Sequence, residues 1–293
     1  MLPIVFHAPG AELTRPTVAP EVREPAVIAR DLVLAYGERV ALTASDFDIP
    51  AGGLTALIGP NGSGKSTILN AIAGLLEPSS GRLAVLAGPR RLAAIAYVLQ
   101  STAVNGAMPV TVREVVGMGR YGSLGPFRRF APRDRALCAA AMERLAITEL
   151  ASRHLDELSG GQRQRVFVAQ GLAQAADLLL LDEPITGLDL PSTERIRSAI
   201  QAERRRGVTV VLTTHELADA AAADWVLLLA GRVVAAGPPD EVLVPGRLSE
   251  AYGVTFLAHG GRLMIDDPAH RSGGGPVIDA RHQADPDPEG WQA

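Results

Sequence analysis

The sequence predicts an α/β domain whose core is a mainly parallel sheet, and three observations carry that expectation. Leu54–Ile58, Leu178–Leu181 and residues 208–212 are short, continuous apolar runs, the pattern of strands buried on both faces. Stretches with helical spacing lie between them, at 67–75, 162–175 and 192–205. The 293 residues, 47% hydrophobic and 20% charged, are enough to bury a sizeable core.

Along the chain, residues 1–26 hold five prolines and little periodicity, and are expected to be a poorly ordered lead-in. Strand-like patterns follow at Val27-Ile28 and Leu32-Val33-Leu34, then a turn at Gly37 and a further strand over 40–49. Leu54–Ile58 feeds a glycine-rich loop and then a helix: strand, loop, helix. A helical insert is expected over about 101–160, with helices at 111–118, 133–145 and 149–153 and a glycine- and arginine-rich loop at 119–129. Residues 225–236 read as a closing hairpin turning at Ala230-Gly231. The folded domain is expected to span 27–258, and 265–293, rich in Pro, Gly, Asp and His, to be a disordered tail.

Composition excludes several classes. A net charge of −4 argues against a nucleic-acid partner. The single cysteine, Cys138, allows no intramolecular disulfide. No apolar run approaches the roughly 20 residues a bilayer demands, and residues 1–10 lack the basic flank of a signal peptide. Work at a membrane would therefore need a partner that spans it.

Three motifs carry chemistry. Gly59-Pro60-Asn61-Gly62-Ser63-Gly64-Lys65-Ser66-Thr67 fits G-x-x-x-x-G-K-[ST] between a strand and a helix. Its glycines let successive backbone N–H groups converge on an anion, and the helix adds its positive dipole end. Lys65 supplies a charge to the terminal phosphates, and the Ser66 hydroxyl suits Mg²⁺. This predicts a nucleoside triphosphate site. Asp182 and Glu183 end the leucine strand, at the sheet edge where open α/β folds bind ligands. Asp182 is placed to hold Mg²⁺, and Glu183 to orient or deprotonate an attacking water. Leu158-Ser159-Gly160-Gly161-Gln162 starts a helix with Ser159 as N-cap, which makes a second phosphate-binding element. One loop already serves one nucleotide, so the second element makes sense closing over the nucleotide of another subunit.

Leu158 to Gln162 resembles the signature of the ABC ATPases, and the family's other motifs surround it in order. Tyr36 stands where the family places an aromatic against adenine, Gln100 where the Q-loop glutamine ends a strand, Gly187-Leu188-Asp189 where the D-loop lies, and His215 where the switch histidine meets the γ-phosphate. The resemblance spans about residues 26–255. It implies a P-loop NTPase domain of ABC type, with an antiparallel β subdomain beside the parallel core. It also implies ATP and Mg²⁺ as ligands, the metal being held through Ser66, Gln100 and Asp182, and catalysis by Glu183 and His215. It further implies a head-to-tail pair, simplest as a homodimer, in which Ser159, Gly160 and Gly161 of one copy face Lys65 of the other.

Branch is read from three features. No membrane segment is fused to the chain, and His154-Leu155-Asp156-Glu157 precedes the signature without the glycine-containing loop of exporters. The stretch from Val110 to Tyr121, with Phe127-Arg128-Arg129 and Asp134, is similar to ATPases of manganese, zinc and iron importers. The alternatives are iron-siderophore, haem or cobalamin importers, an exporter with separate membrane subunits, and a soluble ABC protein. The importer reading implies permease subunits, an extracytoplasmic binding protein reached indirectly, and a place on the cytoplasmic face of the membrane.

Overall fold

In a computed structural model the described residues are 24–86, 95–99, 110–124, 129–259 and 262–266. The chain opens with the paired strands β1 (Pro25–Tyr36) and β2 (Arg39–Pro50), then enters the core at β3 (Leu54–Ile58) and α1 (Lys65–Ile72). Next come β4 (Ser80–Val85) and β5 (Ile95–Val98). The order β2-β1-β4 forms an antiparallel three-stranded sheet. The helical segment is α2 (Val112–Met118), α3 (Tyr121–Leu124) and α4 (Pro132–Arg144), leading into α5 (Gly160–Ala173). The core resumes with β6 (Leu178–Leu181), α6 (Leu190–Arg205), β7 (Thr209–Thr213), α7 (Leu217–Ala221), β8 (Trp225–Leu229) and β9 (Val233–Gly237). Two short helices, α8 (Pro239–Val242) and α9 (Pro245–Tyr252), and a hairpin of β10 (Thr255–His259) and β11 (Arg262–Asp266) follow.

The six-stranded sheet runs β5-β6-β7-β3-β8-β9, parallel except for β9. Every residue of β3, β6 and β7 is buried, as strands covered on both faces require. Alternation divides them. Leu179, Leu181, Val210 and Leu212 face a core shared with α5, α6 and the helical segment, while Leu178, Leu180, Val211 and Leu57 face α1 and the antiparallel sheet. Two cores on one sheet hold the ends of β3, β6 and β7 side by side, which is where the motifs lie.

The helical segment is stapled by polar groups. Thr111 and Glu114 form a reciprocal cap at the start of α2. Buried Arg120 pairs with Asp134 at 3.0 Å and donates to the carbonyls of Ala173 and Gln174, which ties the segment to the end of α5.

Four expectations are corrected. Pro25 and Ala26 belong to β1 and not to the lead-in, because Val27 and its neighbours pair with both β2 and β4. The helix expected at 149–153 is only a 3₁₀ turn, Thr148–Leu150: the Ala151 and Arg153 carbonyls accept instead from the N–H groups of Arg113 and Val112. Part of the loop expected at 119–129 is the short helix α3. Ile265 and Asp266, assigned to the tail, are in β11 and pair with Phe256 and Thr255. The rest of the lead-in and tail lies outside the described residues.

Candidate nucleotide site

The phosphate loop is held from behind by backbone. Gly59 has φ +148°, and a Cβ there would sit 2.1 Å from the Leu229 carbonyl oxygen, so only glycine fits. Ser63 N–H donates to Pro60 O at 3.2 Å, and Gly231, at the tip of the β8–β9 hairpin, donates to Ser63 O at 3.1 Å. Gly64, also at positive φ, caps α1. Lys65 is 6% exposed, and its ammonium donates to Gly59 O at 2.9 Å and Pro60 O at 3.1 Å. Burial lowers its pKa, while Glu183 and Asp182 pull it back up. The buried Ser63 Oγ has no hydrogen-bond partner among the described residues. An anion-shaped loop with a buried cation and an orphaned hydroxyl is a site made for phosphate oxygens.

In front of the loop lies a cleft of about 430 Å³ lined by Tyr36, Arg39, Val40, Ala41, the residues from Asn61 through Gly62, Ser63, Gly64, Lys65 and Ser66 to Thr67, and Glu183. Tyr36 and Arg39 are register partners at the end of the β1–β2 ladder, so their side chains share one face. Tyr36 is half exposed yet tethered: Asn70 on α1 donates to its hydroxyl at 3.0 Å, and the other end of that amide accepts from Tyr97 at 3.1 Å. An aromatic face, a cation and a phosphate loop share one cleft, which suits the flat base and the anionic phosphates of a nucleotide.

The acids come next. Asp182 N–H donates to Val98 O at 2.9 Å, keeping the end of β6 beside β5. Buried Thr213, at the end of β7, donates from its hydroxyl to Asp182 Oδ1 at 2.6 Å and accepts from Glu183 N–H at 2.8 Å. Glu183 sits at φ +46°, in the left-handed region that side chains avoid, and the Thr213 contact helps to hold it there. The Glu183 carboxylate meets His215 Nε2. Lys65, Asp182, Glu183 and His215 thus converge at the edge of β3, β6 and β7. The donor set suits Mg²⁺, which prefers hard oxygens: Asp182 offers a carboxylate whose second oxygen is not used by Thr213, and Ser66 lines the cleft beside the neighbouring Glu183 with a hydroxyl.

The second phosphate-binding element lies elsewhere. Ser159 accepts from Gln162 N–H at 3.2 Å, and the Gln162 side chain accepts from Ser159 N–H at 3.0 Å. A Cβ on Gly160 would meet nothing within 4 Å, so that helix start is open. One on Gly161 would lie 2.6 Å from Ser192 Oγ and 2.7 Å from Asp189 Oδ2. Asp189 caps α6 through Ser192 N–H at 2.7 Å, and hydrogen bonds from the Ser192 backbone and side chain hold its carboxyl below the usual range. None of Ser159, Gly160, Gly161, Gln162 and Asp189 lines the cleft. Gln100 lies outside the described residues.

Sequence reading missed Thr213, Asn70 and Arg39. Thr213 looks like one more β-branched strand residue, and Asn70 like a helix surface position. For Arg39 a signal existed: it lies three residues past Tyr36 across a Gly37 turn, where a hairpin makes the two neighbours.

Residues 42–186 match the family model for the ABC transporter. The zinc transport system ATP-binding protein TroB of Treponema pallidum is 42% identical over 255 residues, 84% of this chain and 96% of that protein. The manganese transport system ATP-binding protein MntB of Listeria monocytogenes is 36% identical, covering 78% of this chain and 97% of that protein. A solved structure described as an inward-facing metal-chelate type ABC transporter superposes with a TM-score of 0.72 at 26% identity, over 84% of this chain and 99% of that one.

Proposed function

The chain belongs to the ATP-binding proteins of the ABC transporter family, and from that premise we propose that it is the ATP-hydrolysing subunit of a metal-ion importer. One observation carries the catalytic part: the phosphate loop, Asp182, Glu183 and His215 meet at one sheet edge, while the signature helix opens outside that cleft. Two copies placed head to tail complete two sites, each with the loop of one chain and Ser159, Gly160 and Gly161 of the other.

In this reading Tyr36 stacks on the base, and Asn61, Gly62, Ser63, Gly64, Lys65, Ser66 and Thr67 cradle the phosphates. Glu183 accepts a proton from the attacking water, and His215 leaves Glu183 to contact the terminal phosphate. Mg²⁺, held through Ser66, Asp182 and Gln100, neutralises phosphate charge when bound. Asp189 faces the partner across the interface. Hydrolysis removes the phosphate contacts that hold the pair closed.

The cargo reading rests on relatives, whose names give zinc and manganese, and on the likeness of the 110–121 stretch to such ATPases. A chelate importer is the second reading: the chelated iron transport system membrane protein YfeB of Yersinia pestis is 37% identical over 83% of this chain. No described helix is long and apolar enough to cross a membrane, and the proposed place is peripheral, on the cytoplasmic face, beneath permease subunits that a substrate-binding protein supplies. The test is a tagged pull-down from native membranes in mild detergent, followed by uptake of labelled zinc, manganese and iron chelate. A co-purifying multi-span permease and ATP-dependent metal uptake are expected. Recovery with ribosomal or DNA-repair partners alone would overturn the transport assignment.

A further inference from the structure

His215 is the second residue beyond β7, after the buried Thr214, and the segment around it is bound to α6 by a polar network. Thr214 N–H donates to Leu57 O at 3.1 Å, which fixes the residue before the histidine to the sheet. The Thr214 hydroxyl accepts from Glu216 N–H at 3.0 Å, closing a turn over His215, and donates to Asp219 Oδ2 at 3.2 Å. The other oxygen of Asp219 takes two donors from Arg197, Nε at 3.0 Å and Nη2 at 2.7 Å. The same Nη2 reaches Glu216 Oε2 at 3.3 Å. Both chain neighbours of His215 therefore end on one guanidinium, Glu216 directly and Thr214 through Asp219.

We propose that Arg197 and Asp219 are positioning residues for hydrolysis: they clamp the turn that presents His215 to Glu183 and to the terminal phosphate. The inference rests on the assignment of His215 given above. A plain surface ion pair would contribute little, but the Asp219 side chain is only 12% exposed and divides its oxygens between the cation and the turn. Among the described residues, loss of the cation leaves that carboxylate with the Thr214 hydroxyl alone, and the cheapest escape is rotation of Asp219 toward water, which opens the turn. Arg197 is also placed to relay movement. It lies on the helix that Asp189 caps, eight residues on, or about 12 Å along the axis at 1.5 Å per residue. A shift of α6 thus reaches the histidine turn through one side chain.

The test uses the full chain and a double-mutant cycle between Arg197→Leu and His215→Ala, read as single-turnover ATP hydrolysis and ATP affinity. Arg197→Leu is expected to slow hydrolysis about tenfold with ATP affinity within about twofold, and to have no further effect once His215→Ala is present. Arg197→Lys is expected to keep most of the rate, and Asp219→Asn to mimic Arg197→Leu. The His215 ring resonances should shift in Arg197→Leu and Asp219→Asn and stay in place in Arg197→Lys. The same loss from Arg197→Leu with and without His215, or no loss at all, would overturn the clamp alone. Wild-type turnover in His215→Ala would overturn the clamp together with the assignment it rests on.

Discussion

Thr213→Val is the substitution whose consequences the structure specifies most fully. Valine keeps the shape and removes the one hydroxyl that orders both acids, at a position with no exposed surface. Two groups then lose their bond to that hydroxyl: Glu183 N–H, 2.8 Å from the oxygen, and Asp182 Oδ1, 2.6 Å from it. Removing one partner from a buried polar group costs about 1–3 kcal/mol, so the two losses together cost about 2–6 kcal/mol. For a domain of this size that lowers Tm by roughly 4–24 °C. The chemical effect is separate. Glu183 is held at φ +46°, a conformation that costs about 1–2 kcal/mol and relaxes once its N–H is released. A carboxylate displaced by an ångström lowers kcat by about 10–100-fold, and a smaller rise in KM for Mg-ATP is expected beside it because Asp182 loses its hydrogen bond as well. Phosphate release against ATP concentration, beside a thermal melt, reads both effects. Thr213→Ser separates hydroxyl from packing: it is expected to recover most of kcat while leaving a small stability deficit from the lost methyl. Equal kcat in the serine and valine variants would refute the reasoning.

Lys65→Met tests the cation in the loop. Burial sets the folded pKa of Lys65 below its unfolded value, so its penalty is fully present at neutral pH and is relieved as pH rises through the folded pKa. The nucleotide-free variant is therefore expected to melt no lower than the wild type at pH 7, with any advantage shrinking as pH approaches 10. Added ATP should no longer raise its melting temperature, and a retained ATP shift would contradict the role of Lys65. Gly59→Ala tests the floor of the loop: the new Cβ would lie 2.1 Å from Leu229 O, on a neighbouring strand that cannot retreat, and φ +148° adds strain of its own. ATP titration and a melt should show lost affinity and reduced stability together. Wild-type values for both would mean that the loop rearranges freely.

Much of this was legible in the sequence because it is written locally. The phosphate loop, the leucine strand with its two acids and the signature each occupy fewer than ten consecutive residues. The parallel core was legible because strands buried on both faces cannot avoid being apolar throughout. What escaped depends on contacts between distant residues. Thr213 orders Asp182 and Glu183 from the next strand, about thirty positions later. Arg197 meets Asp219 across 22 positions and neither belongs to a motif. The 149–153 stretch has helical spacing, but its carbonyls serve the start of α2, so tertiary pairing overrides the local pattern. The β10–β11 hairpin had a signal in the Gly260-Gly261 pair between strand-like residues, overlooked beside the composition change that follows.

The most direct test of the central claim is sedimentation of the Glu183→Gln chain with ATP and Mg²⁺, with bound nucleotide counted. The account expects a dimer that holds two unhydrolysed ATP molecules, and that returns to monomers when Ser159 or Lys65 is also replaced. A chain that stays monomeric with one ATP bound, or that hydrolyses ATP at the wild-type rate, would contradict it.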